Sequence, residues 1–109
     1  MTDLQVRSVT QVAHFGEIAM DFRRMQLWRS NQLIQLTLQE FKVLKFLVRR
    51  PELVMSRQKL IAALWPKKER LSHRTVDNHI SSLRKKIERD PAHPVYLRTV
   101  HGVGYKFVP

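Results

Sequence analysis

Residues 72–90 read SHRTVDNHISSLRKKIERD, and their apolar members Val76, Ile80, Leu83 and Ile87 recur at steps of four, three and four. That spacing predicts an amphipathic helix. At about 100° per residue the four lie within roughly 60° of one another, while Arg74, Asn78, Ser81, Ser82, Lys85 and Arg89 gather on the opposite side. Small residues flanked by cations suit entry into a DNA major groove, since bulk would hold the backbone off the base edges and cations draw in phosphates. For this helix alone, a plain solvated basic face is the competing reading.

The rest of the chain leans the same way. It carries 20 Lys and Arg against 9 Asp and Glu, a formal charge of +11 in 109 residues, a balance usual for partners such as nucleic acid or acidic membranes. Residues 37–65 contribute +4 and residues 66–89 contribute +5 of that excess, so the charge concentrates on the helix above and the sequence before it. The length fits one small domain and excludes a multidomain enzyme. There are no cysteines, which removes disulfides, thiolate metal sites and cysteine nucleophiles. No apolar run approaches the roughly 18 residues that cross a bilayer, and the N-terminus lacks a signal peptide's apolar middle. A cytoplasmic location without membrane contact is therefore expected.

Residues 1–13 show no clear period and are expected to be a leader or linker, with the domain spanning 14–109. Phe15–Met20 predicts one strand; Met25–Trp28 and Leu33–Leu36 flank a polar turn at Arg29–Gln32. Thr37 and Glu40 have the spacing of a capping box, opening a helix to about Arg49 that buries Leu38, Phe41, Leu44, Leu47 and Val48 and stops at Pro51. Leu53–Met55 reads as a brief extended piece. Ser56 caps a second helix with Leu60, Ile61, Leu64 and Trp65 facing inward, and Pro66 marks its exit. After the polar loop KKERL comes the long helix, ending at Asp90-Pro91. Val95–Val100 and Gly104–Val108 then form two strands around a turn at His101–Gly104. The expected fold is α+β: a winged helix-turn-helix with a small N-terminal antiparallel sheet, three helices and a C-terminal β-hairpin wing.

In that arrangement the third helix enters the major groove and the hairpin lies beside it. Four segments carry a closer likeness: Leu36-Thr37-Leu38-Gln39-Glu40-Phe41, Arg74-Thr75-Val76-Asp77-Asn78-His79-Ile80, Leu83-Arg84-Lys85-Lys86-Ile87 and Thr99-Val100-His101-Gly102-Val103-Gly104-Tyr105. In unbroken order over about residues 14–108, the chain resembles the OmpR/PhoB family, the DNA-binding effector domains of bacterial two-component response regulators. The resemblance implies double-stranded DNA binding on direct-repeat half-sites by a protein that is monomeric alone and paired on DNA. It also implies that the loop at residues 66–72 is open to RNA polymerase. By matched position, Arg74, Thr75, Asn78, Ser81 and Ser82 fall where such domains meet bases or nearby phosphates; His79 and Arg84 fall on the backbone side, and Thr99 and His101 on the wing near the minor groove. Lys85, on the outward face, is a candidate for phosphate contact by its charge. Asp77 reads as structural or as a positioner of neighbouring cations, because phosphates would repel it. Lys67, Lys68 and Arg70 are candidates for phosphate or polymerase contact, with a plain solvated loop as the alternative.

Ser81, Ser82 and His101 depart from the larger or more basic residues common in the family, so the preferred site cannot be borrowed from relatives. His73, His79, His93 and His101 lack ligand-pair spacing, and no metal or other cofactor is expected. Neighbouring pairs such as Ser72 with His73 point in different directions on a helix, and no phosphate-binding glycine loop appears, so catalysis is not expected. The rival to DNA binding is a winged helix whose basic face docks an acidic protein partner.

Overall fold

A computed structural model describes residues 11–65 and 71–109, and the chain divides after Thr37 into two compact units. The first is an antiparallel meander of β1 (Val12–Phe15), β2 (Ile18–Asp21), β3 (Gln26–Arg29) and β4 (Gln32–Ile34), paired in that order. The single strand expected over Phe15–Met20 is instead a hairpin: Gly16 takes φ 55°, and Phe15 pairs with Ile18. A glycine in the left-handed region turns the chain at no steric cost, so one apolar run becomes the edges of two strands. The sheet therefore has four strands rather than three, and β1 starts at Val12, within the stretch expected to be leader. Phe15, Ile18, Met20 and Leu27 are buried, whereas Trp28 and its cross-strand partner Leu33 are exposed on the other face. The turn expected after Arg29 is present. Ser30 and Asn31 both take positive φ (48° and 67°), as in the type I′ turns that suit the strand twist. Glu17 anchors this turn, accepting from the Ser30 hydroxyl at 2.7 Å and from its backbone N–H at 2.9 Å.

The second unit contains α1 (Leu38–Val48), β5 (Met55–Ser56), α2 (Arg57–Leu64), α3 (His73–Ile87), β6 (Leu97–Val100) and β7 (Gly104–Phe107). Phe41, Val43, Leu44, Leu47 and Val48 form the inner face of α1. Leu38, expected inside, is 58% exposed; as the first helical residue it has no preceding turn to cover it. Ser56 caps α2 as expected, its hydroxyl accepting from the Lys59 N–H at 3.1 Å. Of the four residues expected to face inward here only Leu60 is fully buried; Ile61 and Leu64 of α2, and Trp65 just after it, are half-buried.

Helix α3 buries Val76, Ile80, Leu83 and Ile87 to 2% exposure or less, as its period predicts. Burying four such side chains contributes on the order of 1.5–3 kcal/mol each. The helix ends three residues before the expected Asp90, because Glu88 leaves helical geometry and spends its buried carboxylate elsewhere. That carboxylate accepts from the backbone N–H groups of Val95 (2.8 Å), Tyr96 (3.0 Å) and Leu97 (2.8 Å), tying the helix exit to the start of the wing.

The wing hairpin joins a three-stranded sheet in the order β5-β7-β6. Gly104 sits opposite Ser56 in that pairing. A Cβ there would lie 2.0 Å from the Met55 carbonyl oxygen, so no other residue fits without moving the backbone. At the tip the Val103 N–H bonds the Val100 carbonyl at 2.9 Å, and Gly102 at φ 78° supplies the angle that type II turns reserve for glycine.

Candidate nucleic-acid interface

Side chains on three sides of α3 are bound to the rest of this unit. Toward α1, the buried Glu40 carboxylate accepts from the Ser82 hydroxyl and pairs with Lys86 Nζ at 2.7 Å. A carboxylate on a side chain only 6% exposed needs such partners, since an unpaired buried charge is costly.

Toward α2, the His79 ring stands edge-on to Trp65, with centroids 5.2 Å apart at 84°. Its Nδ1 lies 2.8 Å from the Thr75 carbonyl. Asp77 accepts from Arg57 Nε at 2.7 Å and from the Tyr105 hydroxyl at 2.5 Å, so one carboxylate joins α2, α3 and β7.

Burial pushes the Asp77 carboxyl up, but hydrogen bonds from Tyr105 and Arg57 and the charge of Arg57 outweigh it, holding it below the usual aspartate value. Tyr105 moves the other way, raised by burial and by the adjacent carboxylate. The expectation that Asp77 positions a neighbouring cation agrees with this geometry; the cation is Arg57.

Toward the wing, Arg84 donates from Nε to the Leu97 carbonyl at 2.9 Å and from Nη2 to Thr99 Oγ1 at 2.8 Å. Its guanidinium lies 5.6 Å from the centre of the Tyr105 ring. The fork geometry of arginine lets one side chain hold a backbone oxygen and a hydroxyl together.

The fourth side is different. Arg74, Asn78, Ser81 and Lys85, at steps of four, three and four, are exposed, and among the described residues their side chains make no hydrogen bond or ion pair. They form a stripe of two cations around an amide and a hydroxyl. The structure thus divides the ten candidate residues. Arg74, Asn78, Ser81 and Lys85 share the open stripe, and His101 is exposed at the wing tip. His79, Ser82, Arg84 and Thr99 take part in the internal bonds described above through their side chains, and Thr75 through its backbone carbonyl. Beside the end of α3, Arg84, Arg98, Thr99 and His101, with Pro91, Ala92 and Pro94, line a depression of about 420 Å³. The hairpin and the helix therefore present cations around one concavity. Lys67, Lys68 and Arg70 lie outside the described residues.

Sequence reasoning missed Arg57, Glu88 and Tyr105, and it gave Glu40 only a capping role. Their partners lie 7 to 46 positions away, beyond the reach of helical or strand periodicity. The visible hint was a charged residue beside a buried position, as with Glu88 after Ile87.

Residues 31–107 match the family described as "Transcriptional regulatory protein, C terminal". The sensory transduction protein RegX3 of Mycolicibacterium smegmatis is 40% identical over 95 residues, covering 87% of this chain and 42% of the relative. The chain thus spans less than half the length of that relative. Among solved structures, the response regulator DrrB of Thermotoga maritima, an OmpR/PhoB homologue, is 30% identical with a TM-score of 0.85, covering 98% of this chain and 52% of the other. The DNA-binding domain of Klebsiella pneumoniae RstA, solved in complex with the RstA box, is 27% identical with a TM-score of 0.77 over 90% of this chain and 97% of the other. These are families of transcription regulators rather than enzymes, and among the described residues no helix is long and apolar enough to cross a membrane. The match over 31–107, the winged-helix architecture and the order of its motifs agree: this chain belongs to the transcriptional regulatory protein C-terminal family, as an OmpR/PhoB-type effector domain of a response regulator.

Proposed function

We propose that this domain binds duplex DNA sequence-specifically, with α3 in the major groove and the β6–β7 hairpin at the adjacent minor groove. The observation that carries the reading is the open stripe of Arg74, Asn78, Ser81 and Lys85 on a helix whose other sides are committed to the fold. In this reading Asn78 pairs with adenine, Arg74 meets guanine or phosphate, Ser81 permits close approach, and Lys85 holds the backbone. Arg84 and Thr99 set the angle between helix and wing, with His101 reaching toward the minor groove. Ser82 acts mainly by orienting the helix through Glu40. The RstA domain, of the same fold, is solved on its DNA box, which supports the assignment by similarity.

The same reading extends to a cytoplasmic transcription factor that is monomeric alone and paired on direct repeats, with its 66–72 loop available to RNA polymerase. Selection of binding sites from random duplex DNA tests it. Enrichment of a direct repeat supports both class and mode. Binding that is equal for all sequences would overturn sequence-specific recognition and favour the rival, a basic face that docks an acidic protein.

A further inference from the structure

Helix α1 carries a second group of cations that the proposed duplex contacts do not use. Lys42, Lys45 and Arg49 recur at steps of three and four and so form one stripe, roughly opposite the direction of Glu40 on a helix of ~3.6 residues per turn. Glu40 is the α1 residue that meets Ser82 and Lys86 of α3. The stripe therefore faces away from α3, across the ~10 Å body of α1.

These three cations, with Arg50, Phe46 and Leu64, line a depression of about 280 Å³. Among the described residues no carboxylate lines it. Its apolar surface is held in place: the Arg50 guanidinium stacks 3.7 Å from the Phe46 ring centre and donates to the Phe46 carbonyl at 3.0 Å. Gln39 fixes the other wall, donating from Nε2 to the Leu64 carbonyl at 2.8 Å.

We infer that this depression docks an acidic protein segment carrying one aliphatic anchor side chain. Lys42, Lys45 and Arg50 bring like charges to one concavity and repel one another, and an anionic partner turns that repulsion into attraction. Charge alone would admit a phosphate backbone as well. Phe46 and Leu64 favour a protein segment, because the phosphates and sugars of a duplex backbone offer no branched aliphatic group to an apolar wall, whereas a leucine between carboxylates matches both the cations and that wall. The site is independent of the DNA reading except in one respect: if α3 holds duplex, the segment and the duplex are bound at the same time.

Fluorescence anisotropy with a short labelled peptide of Glu, Asp, Ser and Gly around one central Leu, and with its Gln-for-Leu twin, tests the inference at low salt. Wild-type protein should bind the Leu peptide, and the twin several-fold more weakly. The Lys42→Gln/Lys45→Gln variant should bind the Leu peptide about tenfold more weakly, as expected for two lost charge contacts, with its melting temperature and its duplex affinity nearly unchanged. Saturating duplex should leave peptide affinity within about twofold. Equal affinity for the two peptides, displacement of peptide by duplex, parallel losses of peptide and duplex binding in the double variant, or no peptide binding would each overturn the inference. Peptide binding by a protein that fails to bind duplex would instead support the docking site while removing the DNA reading.

Discussion

The anchored and open sides of α3 differ in what their polar groups do. On the anchored sides, Asp77, Ser82, Arg84 and Lys86 each have a partner inside the fold. On the open side, Arg74, Asn78, Ser81 and Lys85 have none among the described residues. Polar side chains in both groups look alike in sequence; Ser81 and Ser82 are adjacent and identical. A rotation of about 100° separates a serine that holds the helix from one that is presented to solvent. A helix that presents side chains to a partner needs both kinds, because open groups hold a fixed position only if the others anchor them.

The contrast breaks most severely at Glu88. Glu88→Ala leaves three backbone N–H groups without their acceptor, and urea unfolding should show a loss of about 3–4 kcal/mol. Lys85→Ala on the open stripe should stay within about 0.5 kcal/mol of wild type. Comparable losses in the two variants would erase the distinction.

Asn78→Ala tests the opposite side. Its unfolding curve should overlay that of wild type, while discrimination at one base pair of the selected site falls by about 1–3 kcal/mol and affinity for random duplex hardly changes. Equal losses on specific and random duplexes would return Asn78 to ordinary surface.

The two serines provide a finer comparison. Ser82→Ala should cost about 1 kcal/mol of stability, because Glu40 loses a hydrogen-bond donor, whereas Ser81→Ala should cost less than about 0.5 kcal/mol. Identical melting temperatures for the two would mean that the Glu40 contact contributes nothing.

The smallest effect belongs to Asp77. Its folded-state value lies below the unfolded one, so its contribution is present at pH above the ordinary aspartate range and is lost as pH falls through the lowered folded value. Because the Asp77 side chain is 40% exposed, solvent screening limits the contribution to about 1 kcal/mol or less. Asp77→Asn should therefore narrow the gap in stability between pH 6 and pH 3, as followed by thermal melts at each pH. A gap as wide as that of wild type would assign the acid sensitivity to other carboxylates.

Periodicity revealed α3 well because its four apolar positions all face one way and all are buried. The Ser56 cap and the turn after Arg29 were legible for a similar reason, since each depends on residues within four positions. Strand division around Gly16 was not, because Phe15 and Ile18 read as one apolar run whether or not the chain reverses between them. The helix end at Ile87 was hidden as well. Its cause is a bond network from Glu88 to residues seven to nine positions later, while the more visible proline at 91 suggested a later stop. Within the candidate site, helical angle identified the outward stripe but could not tell Ser82 from Ser81, since only α1, 42 residues away in sequence, supplies Glu40.

Strand β7 comes last in sequence among the three strands of its sheet and lies in the middle of it, between β5 and β6. On a ribosome, α1, α2 and α3 are synthesised before Gly104–Phe107 exists. Until then β5 has no neighbour in this sheet, and Asp77 lacks the Tyr105 hydroxyl. Closing Met55 onto Tyr105 spans a long loop whose entropy must be met before the pairing rewards it. Completion of the second unit is thus tied to the arrival of β7, and a nascent chain that stalls before Gly104 would carry the open stripe of α3 without the sheet and the Tyr105 bond that help to fix its aim.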